Sequence, residues 1–206
     1  MKARNKAISA DTPTCRLYLT TPPELVSGGV AVSAFADLLE KTIAAADIAC
    51  LRIAGDDAAR ISTIAKPLLP LAQDQGVAVL FDDADLALKL RGDGVHLADP
   101  MLLTKARRTV GSDAIVGVAC PLERHAAMEA GEAGADYVQF QPGTASDDLD
   151  LIAWWTEMMT VPSVVAGKFS QESARAFVAA GADFLAPDPS IWATPDAVAA
   201  IAALLS

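Results

Sequence analysis

Short apolar runs alternate with segments of helical spacing along nearly the whole chain, and eight of these runs have the length and composition of strands. The predicted strands are residues 15–21, 48–54, 77–82, 95–98, 115–120, 137–141, 163–167 and 184–188. Between them, apolar positions recur at helical spacing, as at Ala34, Leu38 and Leu39. A glycine precedes a strand closely in GADYVQFQ from Gly134 and in GADFLAPD from Gly181. Glycine takes the left-handed conformation that closes a helix, so this pattern predicts repeated helix-to-strand junctions.

Eight strands that alternate with helices predict an α/β fold, a single (β/α)₈ TIM barrel. Parallel strands need crossover helices, and eight such strands close into a ring. The alternative is an open doubly wound sheet, but no GxGxxG turn follows the first strand, which disfavours it. We expect one barrel domain over residues 14–206, preceded by a mobile N-terminal arm over residues 1–13.

Charge and composition narrow the choice of partners and compartment. The chain has 206 residues, 52% of them hydrophobic, and a formal net charge of −10. This balance argues against nucleic acid and an anionic membrane surface as partners, since both need clustered Lys and Arg. No apolar stretch is long enough to span a membrane, and the three cysteines lack the CxxC spacing of a zinc or redox site. We therefore expect a cytoplasmic protein with buried thiols, whose Ala-rich helices are compatible with a homo-oligomer.

The chemistry-bearing residues fall at strand ends. Asp82 and Asp83 end the apolar run VAVLF, and barrels place their chemistry at the carboxyl ends of strands. Adjacent strand residues face opposite sides, so we expect Asp82 to line a pocket and Asp83 to be exposed. Arg52 at the end of the second strand predicts either a ligand-binding group or an ion pair with one of these aspartates. His96 lies inside a strand, which favours a buried, hydrogen-bonded structural histidine over a general base.

The segment DDADLALKLRGDGVHL resembles the thiamine phosphate synthase family, whose corresponding stretch usually reads NDRVDLALAVGADGVHLGQED. The fragments CRLYLTT, EAGADYV, PSVVAGKF and AAGADF are similar to other parts of that family, in order and at about the right spacing. The resemblance implies a (β/α)₈ transferase that joins an aminopyrimidine methyl diphosphate to a thiazole phosphate and releases pyrophosphate. It also implies Mg²⁺, bound together with a phosphorylated ligand.

The resemblance carries roles over to matching positions. Arg52, from a motif QLRxK, and Asp82 are implied as catalytic residues, and Asp82 as a magnesium ligand. The second magnesium carboxylate falls near Met101, so Asp99 is the stand-in for it. The implied substrate-binding residues are Thr20, Gln139, Gln141, Gly167, Lys168 and Ser190. Gln139 and Gln141 stand where the family has small glycines, and they narrow the pocket if their shared face points inward.

Several departures from the family motifs predict slow catalysis. Phe81 and Asp83 replace the Asn and Arg of NDR, Ala54 replaces the lysine of QLRxK, and PGTASDDLD replaces a loop with a pyrophosphate-binding lysine. Pro187 and Pro189 remove backbone N–H groups near the phosphate site, where Lys168 is a candidate replacement. Two alternatives remain: a noncatalytic barrel that binds a small phosphate ester or a protein partner, and a thiazole tautomerase-like enzyme. The second needs a base near the mouth, where the family histidine is Pro121.

Overall fold

The computed structural model describes residues 15–143 and 146–206 of the chain. Within these ranges eight parallel strands form one closed barrel in chain order, with β8 paired to β1. The strands are β1 Arg16–Thr20, β2 Ile48–Ile53, β3 Ala78–Phe81, β4 Gly94–Leu97, β5 Ile115–Ala119, β6 Tyr137–Phe140, β7 Ser163–Gly167 and β8 Phe184–Pro187. The predicted barrel is confirmed, and the alternative of an open sheet is wrong. The predicted arm over residues 1–13 lies outside the described residues.

Helices follow the strands and surround the barrel. They are α1 Pro23–Ser27, α2 Val32–Ala45, α3 Ala58–Asp74, α4 Ala84–Leu90, α5 Leu103–Val110, α6 Arg124–Glu132, α7 Ser146–Met158, α8 Gln171–Ala179 and α9 Ala197–Ala202. Short 3₁₀ turns at Pro100–Leu102 and Pro189–Ala193 follow β4 and β8. In the part of the chain described, no helix combines the length and apolarity that crossing a membrane would require.

The strands separate two apolar cores because their side chains alternate between faces. The larger core lies between strands and helices, where Phe140 packs edge-on against Trp155 with ring centroids 5.6 Å apart. The smaller core fills the barrel interior. Its buried members are Tyr18, Cys50, Leu80, Tyr137, Val164 and Ala186. Below it, at the amino end of the strands, a cavity of about 180 Å³ remains among small residues such as Ala49 and Ala78.

Aspartates directly before three even-numbered strands tie those strands to the preceding ones. In each case the carboxylate accepts a backbone N–H from the neighbouring strand: Asp93 from Val79 at 2.7 Å, Asp136 from Val116 at 2.7 Å, and Asp183 from Ser163 at 2.8 Å. These contacts explain the GAD fragments, in which the glycine follows a helix and the aspartate bonds to the neighbouring strand. Gly134 and Gly181 take positive φ angles of 93° and 96° just after their helices, and the aspartate two residues later fastens the amino end of the barrel.

We expect Asp93→Ala to lower the free energy of unfolding by about 1–3 kcal/mol, because the N–H of fully buried Val79 loses its side-chain acceptor. Asp113→Ala is the matched control, since Asp113 is exposed, stands before the odd-numbered β5 and accepts only the Ser112 hydroxyl at 3.3 Å. Urea denaturation monitored by circular dichroism measures both variants. Equal stability losses would contradict this role for the aspartate.

Candidate active site

Arg52 and Asp82 meet at the carboxyl end of the barrel. The Arg52 Nε donates to Asp82 Oδ1 at 2.6 Å, and the backbone N–H of Gly55 donates to Oδ2 at 3.0 Å. Burial lowers the pKa of Arg52, but the hydrogen bond and the charge of Asp82 outweigh that effect and raise it. The ion pair predicted for Arg52 is therefore present, and its partner is Asp82.

The Arg52 guanidinium is only partly used by this pair. Its side chain is 20% exposed. Within the described residues it donates through Nε alone, so neither Nη group has an acceptor there. Asp83, by contrast, is exposed and caps α4 by accepting the N–H of Leu86 at 2.7 Å. Pocket-facing Asp82 and exposed Asp83 agree with the alternation that the sequence predicts. The Nη groups of Arg52 are placed to receive a ligand anion in a bidentate manner.

A hydrogen-bonded row of aromatic side chains lies beneath this pair. The Tyr18 and Tyr137 hydroxyls are 2.9 Å apart, and the Tyr137 hydroxyl is 2.8 Å from His96 Nδ1. The Tyr137 ring lies over Gly117, where a Cβ atom would stand 1.9 Å from it. His96 is 2% exposed, so the prediction of a buried structural histidine is confirmed.

Burial and the nearby Arg52 charge lower the pKa of His96 to about 3. Burial raises the pKa of both tyrosines well above the ordinary value, so their hydroxyls keep their protons. The row is thus neutral, and it presents no further charge under Arg52. Sequence reasoning missed Tyr18 and Tyr137. The available signal was their spacing, two residues before the mouth positions Thr20 and Gln139 on the same strand faces.

Thr20 and Gln139 both lie at the mouth of the barrel, which is its opening at the carboxyl ends of the strands. Gln141 lies beyond the end of its strand. Thr20 is paired with Arg52 in the sheet register, and its carbonyl accepts the Trp192 indole N–H at 2.8 Å. Gln139 is partly buried and shares the inward face of Tyr137. Gln141 follows the last residue of β6 and is exposed.

The loops after β7 and β8 bring Lys168 close to Asp188. The Asp188 N–H donates to the Gly167 carbonyl at 2.7 Å, and the Asp188 carboxylate accepts the Ser190 N–H at 3.0 Å. Hydrogen bonds from Ser190, and more weakly the charge of Lys168, lower the pKa of Asp188. The Ser190 amide, which the resemblance assigns to phosphate, is therefore already engaged. Asp188 is a further residue that sequence reasoning did not single out.

The described residues do not assemble a metal cage on their own. They contain no group of three or more His, Cys, Asp or Glu side chains arranged to hold an ion. Asp99 is exposed and caps the turn that follows β4, accepting the Met101 N–H at 2.9 Å. Both oxygens of Asp82 already have donors. A Mg²⁺ ion would thus need ligand oxygens to complete its shell.

Comparison of the sequence with known proteins identifies the family of the chain. The family model described as Thiamine monophosphate synthase matches residues 17–187. The chain belongs to the thiamine monophosphate synthase family. Thiamine-phosphate synthase from Rhodospirillum centenum is 42% identical over 202 residues, covering 92% of this chain and 95% of the relative. Thiamine-phosphate synthase from Hyphomonas neptunium is 40% identical over 204 residues, covering 91% and 90%.

Solved structures share the barrel. Thiamine phosphate pyrophosphorylase from Pyrococcus furiosus superposes with a TM-score of 0.76 at 22% identity, over 93% of this chain and 94% of that chain. The 3-hexulose-6-phosphate synthase from Salmonella typhimurium superposes with a TM-score of 0.66 at 16% identity, over 92% and 96%. At these identities the structural likeness concerns the fold alone. The family membership rests on the sequence matches.

We expect the His96 ring to remain neutral at pH 5, because its pKa is lowered to about 3. Histidine in an unfolded chain titrates near 6.5, so the unfolded state binds more protons between pH 6.5 and 3. The contribution of His96 to stability is therefore complete above about pH 6.5 and falls as the pH drops towards 3. NMR of the imidazole signals from pH 7.5 to 4.5 measures this, with His125→Gln used to assign the His96 signal. A midpoint near 6.5 would contradict the buried, neutral row.

Proposed function

We propose that this chain joins an aminopyrimidine methyl diphosphate to a thiazole phosphate, releasing pyrophosphate. The observation that carries the proposal is the Arg52 guanidinium, held by Asp82 at the carboxyl mouth with both Nη groups lacking acceptors among the described residues. Two fixed donors beside a partly buried site stabilise an anion better than water does, since they need no reorganisation. The ligands are accordingly small phosphorylated molecules.

The reaction has two bond changes, and residues of the chain assist each of them. Cleavage of the carbon–oxygen bond to pyrophosphate leaves a pyrimidine methyl cation, and the thiazole nitrogen then forms the new bond to that carbon. Arg52 neutralises charge that develops on the departing pyrophosphate, while Asp82 fixes the direction of the guanidinium. Lys168, at the end of β7, supplies a cation for the thiazole phosphate.

Asp82 and Asp99 are the carboxylates that we propose as Mg²⁺ ligands. The donor set fits the ion only when diphosphate oxygens supply the other positions, because the Asp82 oxygens already accept from Arg52 and Gly55. When bound in this way, the ion would neutralise further charge on the diphosphate. In its absence Asp82 remains a positioning group for Arg52.

Slow turnover is part of the proposal. Positions that carry cations in the family motifs are Ala54 and Asp83 here, and the carboxylate of Asp188 occupies the Ser190 N–H. Each loss removes charge stabilisation from the leaving group or the phosphate. The engaged Ser190 amide also favours the second candidate, a noncatalytic barrel that binds a phosphate ester through Arg52 and Lys168. For a tautomerase, the position of the family histidine is Pro121, whose side chain cannot act as a base.

The proposed setting is cytoplasmic. Cys15, Cys50 and Cys120 are all free thiols buried in the fold, as expected from their apolar strand-like context. Burial raises the pKa of Cys120 to about 11, which keeps it as an unreactive thiol. We propose a homo-oligomer without a nucleic acid or membrane partner, in keeping with the acidic composition.

We expect wild-type turnover to be about 10²-fold to 10³-fold below that of a relative with complete motifs, since removal of one well-placed stabiliser commonly has this effect. Arg52→Met should lower kcat by a further factor of about 10². A steady-state pyrophosphate-release assay with both precursors and Mg²⁺ measures these rates.

Arg16→Met is the matched control for Arg52→Met. Arg16 also pairs with an aspartate, Asp47, at 2.7 Å, but at the amino end of the barrel. It should leave kcat within about twofold of wild type, since it lies away from the proposed site. Wild-type turnover equal to that of the complete relative would refute the slow-catalysis proposal. Pyrophosphate release no faster than the enzyme-free blank would favour the noncatalytic barrel.

A further inference from the structure

Gln139 is placed at the mouth with its side chain directed into the barrel. Its neighbours along β6, Val138 and Phe140, are fully buried in the core between strands and helices. Tyr137, two residues earlier, belongs to the interior core and touches His96 there. Side chains two apart on a strand share a face, so Gln139 stands directly above Tyr137 and faces the mouth.

The neighbours of Gln139 in the sheet are apolar. Its register partners are Ala119 on β5 and the buried Val164 on β7, and Ala166 is the next interior residue of β7. Gln139 is partly buried, and no hydrogen bond joins its side-chain amide to another described residue. Every buried side-chain N or O atom among the described residues has a partner, so this amide reaches solvent. A partly desolvated amide that reaches solvent at the carboxyl end of the barrel is available to a ligand.

The other polar groups of the mouth are hydrogen-bonded to one another, are charged, or, like Thr20, carry a single hydroxyl. Arg52 and Asp82 bind each other, and His96 and the two tyrosines satisfy one another. Charged groups attract phosphate but do not distinguish one neutral heterocycle from another. Among these groups, Gln139 alone is a neutral side chain that presents a donor and an acceptor side by side.

We propose that the Gln139 amide determines specificity by reading the aminopyrimidine edge. An exocyclic amine next to a ring nitrogen offers a donor beside an acceptor, and a glutamine amide binds that arrangement through two hydrogen bonds, as it does with adenine. The amide oxygen accepts from the amine, and the amide N–H₂ donates to the ring nitrogen. This inference rests on the proposed function, since it assumes a pyrimidine substrate, and it replaces a purely steric role for Gln139.

The test compares two ligands by isothermal titration calorimetry, without thiazole phosphate so that no reaction follows. One is the aminopyrimidine methyl diphosphate, and the other is an analogue in which hydrogen replaces the exocyclic amine. Wild type should bind the amine-bearing ligand about 5- to 150-fold more tightly. Gln139→Met, similar in length but without the amide, should bind both ligands equally. Gln75→Met is the matched control, because Gln75 is exposed at the end of α3, at the amino end of the barrel, and it should keep the preference.

Four results would overturn the inference, and they separate it from the proposed function. Equal binding of the two ligands by wild type, or an unchanged preference in Gln139→Met, would remove the reading role while pyrimidine diphosphate binding still supports the function. Tighter binding by Gln139→Gly would show that the side chain only narrows the mouth. Binding of neither ligand by wild type would overturn the proposed function together with the inference. Thermal unfolding midpoints establish that the variants are folded.

Discussion

The buried positive charge of Arg52 determines which groups can surround it at the mouth of the barrel. The Arg52 side chain is four-fifths buried. Burying its charge costs several kcal/mol unless a partner compensates for the lost hydration. Asp82, directly after the neighbouring strand β3, supplies that partner, and the Gly55 N–H donates to the second carboxylate oxygen. Beneath Arg52, the interior has to remain neutral. The lowered pKa of His96 and the raised pKa values of the two tyrosines meet this requirement.

Aspartates stabilise the sheet at the amino end of the barrel and shape the proposed ligand site at the carboxyl end. At the amino end, Asp93, Asp136 and Asp183 accept backbone N–H groups and fasten neighbouring strands. At the carboxyl end, Asp82 orients a cation and Asp188 takes up the amide of Ser190. The difference follows from barrel geometry, because the loops at the carboxyl end vary without disturbing the ladder that the amino end secures. The same acidic composition therefore stabilises one face and shapes the ligand site on the other.

Patterns within single segments predicted the parts of the molecule that local chemistry determines. The eight strands follow from apolar runs, and the opposite exposures of Asp82 and Asp83 follow from strand alternation. The row formed by Tyr18, Tyr137 and His96 could not be found in this way, because it joins three strands that are distant in sequence. Nor could the bond from Ser190 to Asp188 be inferred, since it depends on the backbone path of one turn. From sequence, Arg52 was either a ligand-binding group or the ion-pair partner of Asp82 or Asp83. The pairing of β2 with β3 brings it to Asp82, and the ion pair leaves its Nη groups for a ligand.

We propose above all that the anion of the substrate binds to the Nη groups of Arg52 while Asp82 holds the guanidinium in place. A crystal structure of the protein with pyrophosphate, thiazole phosphate and Mg²⁺ tests it most directly. The account predicts pyrophosphate oxygens within about 3 Å of Arg52 Nη, and a metal-bound oxygen shell that includes Asp82. Pyrophosphate bound away from Arg52, or a mouth left empty at saturating ligand, would contradict it.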